Sequence, residues 1–215
     1  VKPIPCEALI AGIDDIKQET MLFSCDYETA MEFGGQLTWK FLAHIPEEQR
    51  KNVIIDSRFH MLKRGWYPAI PGWHLDDIPR GNDGQPDLSR GHETNHLFMI
   101  VDSGTGSLTE FLHPHDYLDL KEVLTNDYPK GKTIWGHHND VINSHLKWLK
   151  DSKSPVPVKS GIPYWFGHED YHRAIPATGD GWRWFIRASL NSQRPITNEL
   201  RTQVQVYLPQ PEAGW

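Results

Sequence analysis

His74-Leu75-Asp76 sets an imidazole and a carboxylate two residues apart. On an extended backbone, residues i and i+2 point the same way with α-carbons under about 7 Å apart, so both side chains can reach one metal ion. The spacing works only without a helix, and Pro68, Pro71 and Gly72 keep a helix from running into it. A competing spacing is His92-Glu93-Thr94-Asn95-His96, which fits H-E-x-x-H, where two histidines one helical turn apart bind zinc and the Glu activates water. That chemistry needs a helix. Gly91, Thr94 and Asn95 are poor helix formers, and Leu97 to Val101 continues as a strand-like apolar run ended by Asp102-Ser103-Gly104. In a strand, residues four apart lie roughly 13 Å apart, too far for one metal. A zinc peptidase is therefore the weaker reading. A third group sits near the other end, where alternation through Trp182 to Leu190 puts Arg183, Phe185, Arg187 and Ser189 on one face. Arg187 and Ser189, at i and i+2, form a carboxylate-binding pair: a guanidinium grips both oxygens and a hydroxyl adds one donor.

The elements that must position these groups read mainly as short extended runs separated by Gly, Pro, Asn and Asp: Val53 to Phe59, Gly72 to Asp76, His96 to Asp102, Ser107 to Leu112, Gly161 to Phe166, Gly181 to Ser192 and Leu200 to Leu208. The clearest alternation is Thr202 to Leu208, with Val204, Val206 and Leu208 on one face. Tyr171 to Ile175, the turn Thr178-Gly179-Asp180-Gly181 and the following run read as a β-hairpin. Helix signals are fewer. Asp26 can cap a helix carrying Ala30, Phe33, Leu37 and Phe41, a second is predicted near Asp116 to Leu124, and a third follows a cap at Asn139 or Asp140. The pattern predicts two packed sheets in a jelly roll, with helices on one outer face.

His74-x-Asp76, then His172, then Arg187-x-Ser189 resembles the iron(II)- and 2-oxoglutarate-dependent oxygenases, whose pattern is H-x-D, a distal His and an Arg, often as R-x-S. His172 follows His74 by 98 residues and precedes Arg187 by 15. The resemblance runs from Gly65 to Leu208. It implies a double-stranded β-helix, a mainly β jelly roll with flanking helices. It also implies Fe(II) on His74, Asp76 and His172, with 2-oxoglutarate as cosubstrate and O2 as oxidant. The activity implied is oxidative decarboxylation of 2-oxoglutarate coupled to hydroxylation, or a related C–H oxidation, of a small-molecule or side-chain substrate. Arg187 with Ser189 would take the distal carboxylate; Arg183, 11 residues past His172 and on the same face, is the alternative. His168 is the alternative distal ligand and fits the spacing less well. Cupins share the jelly roll but carry H-x-H and a following Glu, and neither is present at Asp76 or in Asp77-Ile78-Pro79-Arg80, so a cupin-like binding module ranks lower.

A chain of 215 residues suits one domain, 1–215, with a jelly-roll core about 53–208 and an N-terminal helical brace about 26–50. Lys+Arg 22 against Asp+Glu 28 leaves a net charge of −6, which disfavours a nucleic-acid partner. Two cysteines, Cys6 and Cys25, are too few for a disulfide framework and point to a reducing, cytoplasmic setting. Neither a membrane span nor the apolar region of a signal peptide is evident. Trp73, Trp165 and Trp184 are expected in the core rather than as substrate platforms. The loop from Gly81 to Arg90, beside the metal segment, is either a substrate lid or a plain surface connection.

Overall fold

The computed structural model describes residues 1–90, 93–149 and 151–208. The N-terminal part runs β1 (Lys2–Pro3), α1 (Ile13–Lys17), β2 (Met21–Phe23), α2 (Tyr27–Phe33) and α3 (Gln36–Leu42), with a 3-10 turn at Glu47–Asn52. The middle holds β3 (Val53–Leu62), β4 (Asn95–Ser103), β5 (Thr109–Phe111), α4 (Pro114–Leu120) and α5 (Ile134–Trp148). Then follow β6 (Val156–Pro157), β7 (Tyr164–Gly167), β8 (His172–Ala174), β9 (Gly181–Leu190) and β10 (Glu199–Arg201). The chain is mainly sheet with some helices. A five-stranded antiparallel sheet has the order β1-β7-β4-β9-β3, a three-stranded one β6-β5-β8, and β10 pairs with β2.

The large sheet is a two-sided layer because its strands alternate. The register pairs Val53 with Leu190 and Leu62 with Gly181 across β3 and β9, and Leu97 with Ala188 across β4 and β9. One face therefore presents Ile55, Leu97, Met99, Val101, Trp184, Ile186 and Ala188, which bury against Ile16, Ala30, Leu37 and Phe41 of the helices. Full burial of each large apolar side chain contributes about 1.5–3 kcal/mol. The opposite face presents Phe98, Ile100, Tyr164 and Phe166, which pack on Phe111 of the small sheet. The charged residues Asp56, Arg58, Arg183 and Arg187 lie on this inner face too, as their cross-strand pairing requires. Among the described residues no helix is long and apolar enough to cross a membrane.

Four local expectations change. Tyr171–Ile175 and the run from Gly181 do not form a hairpin: β8 pairs with β5 in the small sheet, whereas β9 pairs with β3 and β4 in the large one, so the Gly-rich turn carries the chain between layers. The alternating segment Thr202 to Leu208 is not a ladder. Pairing stops at Arg201 and resumes only as a bridge between Tyr207 and Tyr67, and Val204 and Val206 are no more than half-buried. The helix capped by Asp26, whose carboxylate accepts from Thr29 N at 2.7 Å, breaks at Gly34-Gly35. The buried Glu19 carboxylate caps α3 there, accepting from the amides of Leu37 at 2.7 Å and Thr38 at 3.2 Å. Finally, α5 starts at Ile134 under a Thr133 cap, ahead of Asn139 and Asp140.

Candidate metal centre

The segment that carries His74 and Asp76 is extended but is not a strand; its only ladder contact is a bridge to β8, formed by His74 N to His172 O at 3.0 Å and His172 N to His74 O at 3.1 Å. Alternation still holds along it. Trp73 and Leu75 point into a cluster with Leu112, Leu120, Ile142 and Tyr171, so His74 and Asp76 must point the other way. Helix α5 fixes this anchor: Asn139 Oδ1 accepts from Trp73 N at 3.2 Å, and Asn143 Oδ1 accepts from the Trp73 indole N–H at 3.1 Å. Gly72 supplies the turn into it, with φ of +106° and Asn139 so near that a Cβ would lie 3.2 Å from its Oδ1. The paired backbones set the His74 and His172 rings side by side, with centroids 4.7 Å apart.

One donor atom from each of His74, Asp76 and His172 lies within 4.8 Å of the other two, and among the described residues this is the one such cluster of three. The back of each imidazole is tied down. His74 Nδ1 lies 2.9 Å from Gly72 O and His172 Nδ1 3.0 Å from Asp170 O. A carbonyl can only accept, so each Nδ1 carries a hydrogen and each ring is held with its Nε2 turned toward Asp76. Burial, followed by the neighbouring His172, pushes the His74 pKa down to about 4, which keeps that ring neutral and able to ligate. For Asp76, burial acts to raise the pKa. The Arg187 guanidinium and then His172 outweigh it and hold the carboxyl well below the usual range. Two imidazoles and a carboxylate converging from one side are a donor set that could hold a divalent metal ion such as iron(II).

Arg187, the sequence candidate for a cosubstrate clamp, is already engaged. It donates to Asp76, donates to Asp56 Oδ2 at 3.0 Å, and lies 3.8 Å from Asp77. Arg194 completes the cluster, 2.7 Å from Asp56 and 3.1 Å from Asp77. Ser189 is fully buried, with its hydroxyl 3.0 Å from His96 Nδ1, and does not line the cavity beside the triad.

That cavity, of about 70 Å³, opens from His74, Asp76 and His172 between Phe98, Phe111 and Phe185. Arg58, Arg183 and Arg187 line it. Arg183 is buried and gives its Nε hydrogen to Ser107 O at 2.7 Å, and among the described residues no carboxylate lies within ion-pair distance of it. Burial and then the positive charge of Arg58 push its pKa down to about 9.

Sequence reasoning missed Asp56, Arg58, Asp77 and Arg194. A signal for the first two exists: Asp56 and Arg58 alternate within the apolar run Val53 to Phe59. His168 falls on the turn between β7 and β8 and does not join the triad. Of the H-E-x-x-H motif, Glu93 and Thr94 lie in no helix and Asn95 and His96 open β4. His92 lies outside the described residues, whereas His96 is the second residue of β4, fully buried and stacked on Phe166 with centroids 4.6 Å apart. Trp73 and Trp184 are fully buried core, and Trp165 packs against the outer cluster. Arg80, Pro86 and Arg90 of the connecting loop line a cleft over His74 and Asp76.

The chain matches no protein-family model and no curated protein. Among solved structures it is similar to EvdMO1, at 18% identity and a TM-score of 0.39 over 71% of this chain and 32% of that one. It thus spans about a third of the EvdMO1 chain. A nickel complex of the non-haem monooxygenase ThoJ matches at 10% identity and a TM-score of 0.35, over 94% of this chain and 89% of that one. CytC3 with Fe(II) and α-ketoglutarate matches at 11% identity and 0.27, over 85% and 78%.

Proposed function

We propose that this chain is a non-haem iron(II) oxygenase with a double-stranded β-helix fold, coupling oxidative decarboxylation of 2-oxoglutarate to oxidation of a C–H bond in an organic substrate. The observation that carries this reading is the convergence of His74, Asp76 and His172, both rear nitrogens fixed on carbonyls, at the opening of a cavity lined by a buried guanidinium without a counter-ion. A buried, unpaired cation is costly, and an anionic ligand removes the penalty. Arg183 is accordingly assigned the distal carboxylate of 2-oxoglutarate, with Arg58 beside it. Arg187 is assigned a positioning role: held by Asp56, it fixes the Asp76 carboxylate toward the two imidazoles. Fe(II), when bound with 2-oxoglutarate and O2, supplies the oxidising chemistry that protein side chains lack. The protein contributes two imidazoles and a carboxylate of fixed orientation and an apolar wall, Phe98, Phe111, Phe166 and Phe185, that excludes water.

The test is anaerobic addition of Fe(II) and then 2-oxoglutarate. A weak visible absorption band that depends on both, and is absent in Asp76→Ala and His172→Ala chains that still fold, is the expected result. Absence of the band in the unaltered chain, with no succinate formed in air, refutes the reading.

A further inference from the structure

The chain as a whole is acidic, at −6, and the cleft above the triad inverts that balance. This cleft, about 630 Å³ in volume, is lined by Arg58, Arg80, Arg90 and Arg194 against only Asp76 and Asp77. Asp76 is paired with Arg187, Asp77 and Asp56 with Arg194, and Arg90 with Asp87 at 3.1 Å. Arg80 lies on the connection leaving the metal segment, where the bridge to Pro86 closes a tight loop. Its Nη1 donates to the Gly84 carbonyl at 2.9 Å, and among the described residues no carboxylate lies within ion-pair distance of it. The same cleft has an apolar side, Ile70, Ile78 and Trp135.

We propose that the substrate taken by this cleft is an amphipathic organic anion, a carboxylate or a phosphate ester. Its charged group is held at Arg80, and its carbon body lies along Ile78 and Trp135 toward His74 and Asp76. A guanidinium suits either anion, since its paired N–H groups match two oxygens at once. A cleft of opposite sign to the molecule around it raises the local concentration of anions and speeds their entry. The proposal deepens the oxygenase reading and rests on it for what is done to the ligand; the binding itself stands separately.

The experiment titrates 1-naphthyl phosphate, 1-naphthylacetate and uncharged 1-naphthol into the chain by calorimetry, metal-free and again with Fe(II) and 2-oxoglutarate without oxygen. Saturable one-to-one binding of at least one anion is expected, with 1-naphthol at least tenfold weaker; the stronger of the two anions distinguishes phosphate from carboxylate. Arg80→Gln should weaken that anion at least tenfold, Arg80→Lys should restore part of it, and both variants should melt as the native chain does, because Arg80 is exposed. The proposal is overturned if neither anion binds up to millimolar concentration, if 1-naphthol binds equally well, or if Arg80→Gln has no effect. It is also overturned if 2-oxoglutarate displaces the anion competitively, which would place it at Arg183 and Arg58. Failure of the oxygenase reading looks different: anion binding intact at Arg80, but no visible band with Fe(II) and 2-oxoglutarate.

Discussion

Replacing Arg183 and Arg187 by Met should have opposite consequences, although the two arginines lie on one face of one strand. Arg183 is 3% exposed, and burial, followed by the positive charge of Arg58, lowers its pKa to about 9. At about 1.4 kcal/mol per unit the penalty is roughly 5 kcal/mol. The sign follows from linkage. A base whose folded pKa lies below its unfolded value binds fewer protons when folded, so the penalty applies in full at every pH below 9 and fades only as pH rises from there toward the ordinary arginine range. Against it stands the bond to Ser107 O, whose loss costs about 1–3 kcal/mol. Arg183→Met should therefore leave the metal-free chain as stable as before or more so. It should also weaken 2-oxoglutarate between about 30-fold and several-thousand-fold, the range given by losing about 2–5 kcal/mol of desolvated ionic contact. Arg187→Met instead takes from Asp76 its arginine partner and leaves Asp56 to Arg194 alone. Breaking a buried pair from one side costs about 3–5 kcal/mol, which in a domain of this size lowers Tm by roughly 6–20 °C. Melting in EDTA reads the first effect and anaerobic titration of the visible band with 2-oxoglutarate reads the second. If Arg187→Met melts normally yet weakens 2-oxoglutarate more than Arg183→Met does, the roles assigned to the two residues are reversed.

Two further outcomes follow from the packing around the site. Trp73→Ala should cost about 3–5 kcal/mol and weaken Fe(II) binding, because the anchor of the His74 segment is gone, whereas Trp73→Phe should lose mainly the bond to Asn143, about 0.5–1.5 kcal/mol; equal losses in the two variants, measured by denaturant unfolding, would mean that packing is not what holds the segment. His60 is fully buried and burial depresses its pKa to about 3, so its folded form stays neutral while the unfolded form charges below about 6.5; stability should fall as pH drops from about 6.5 to about 3, and His60→Gln should flatten that slope in unfolding curves collected across the range.

The residues with metal chemistry were legible because their spacing carries it. His74-x-Asp76 needs only an extended backbone, which prolines and a glycine impose locally, and the alternation of Arg183, Arg187 and Ser189 follows from the strand period alone. The faces of the large sheet were legible for the same reason. What period cannot supply is the partner. Arg183 and Arg187 are equivalent by alternation, yet β3 brings Asp56 opposite Arg187 and His60 opposite Arg183. Only this long-range pairing gives one guanidinium its carboxylates and leaves the other at the same cavity without one. The tertiary structure also decided where β8 pairs. A run, a turn and a run suggest a hairpin locally, but β5 and the His74 segment flank β8 instead, and that choice is what sets His172 beside His74. The helix break at Gly34-Gly35 is of the same kind: Glu19, distant in sequence, supplies the cap that a local periodicity cannot foresee. Sequence spacing thus fixed which groups could act together on one strand or segment, while contacts between distant segments fixed which of them were charged, paired and exposed to a ligand, because electrostatic energy depends on separation in space rather than along the chain.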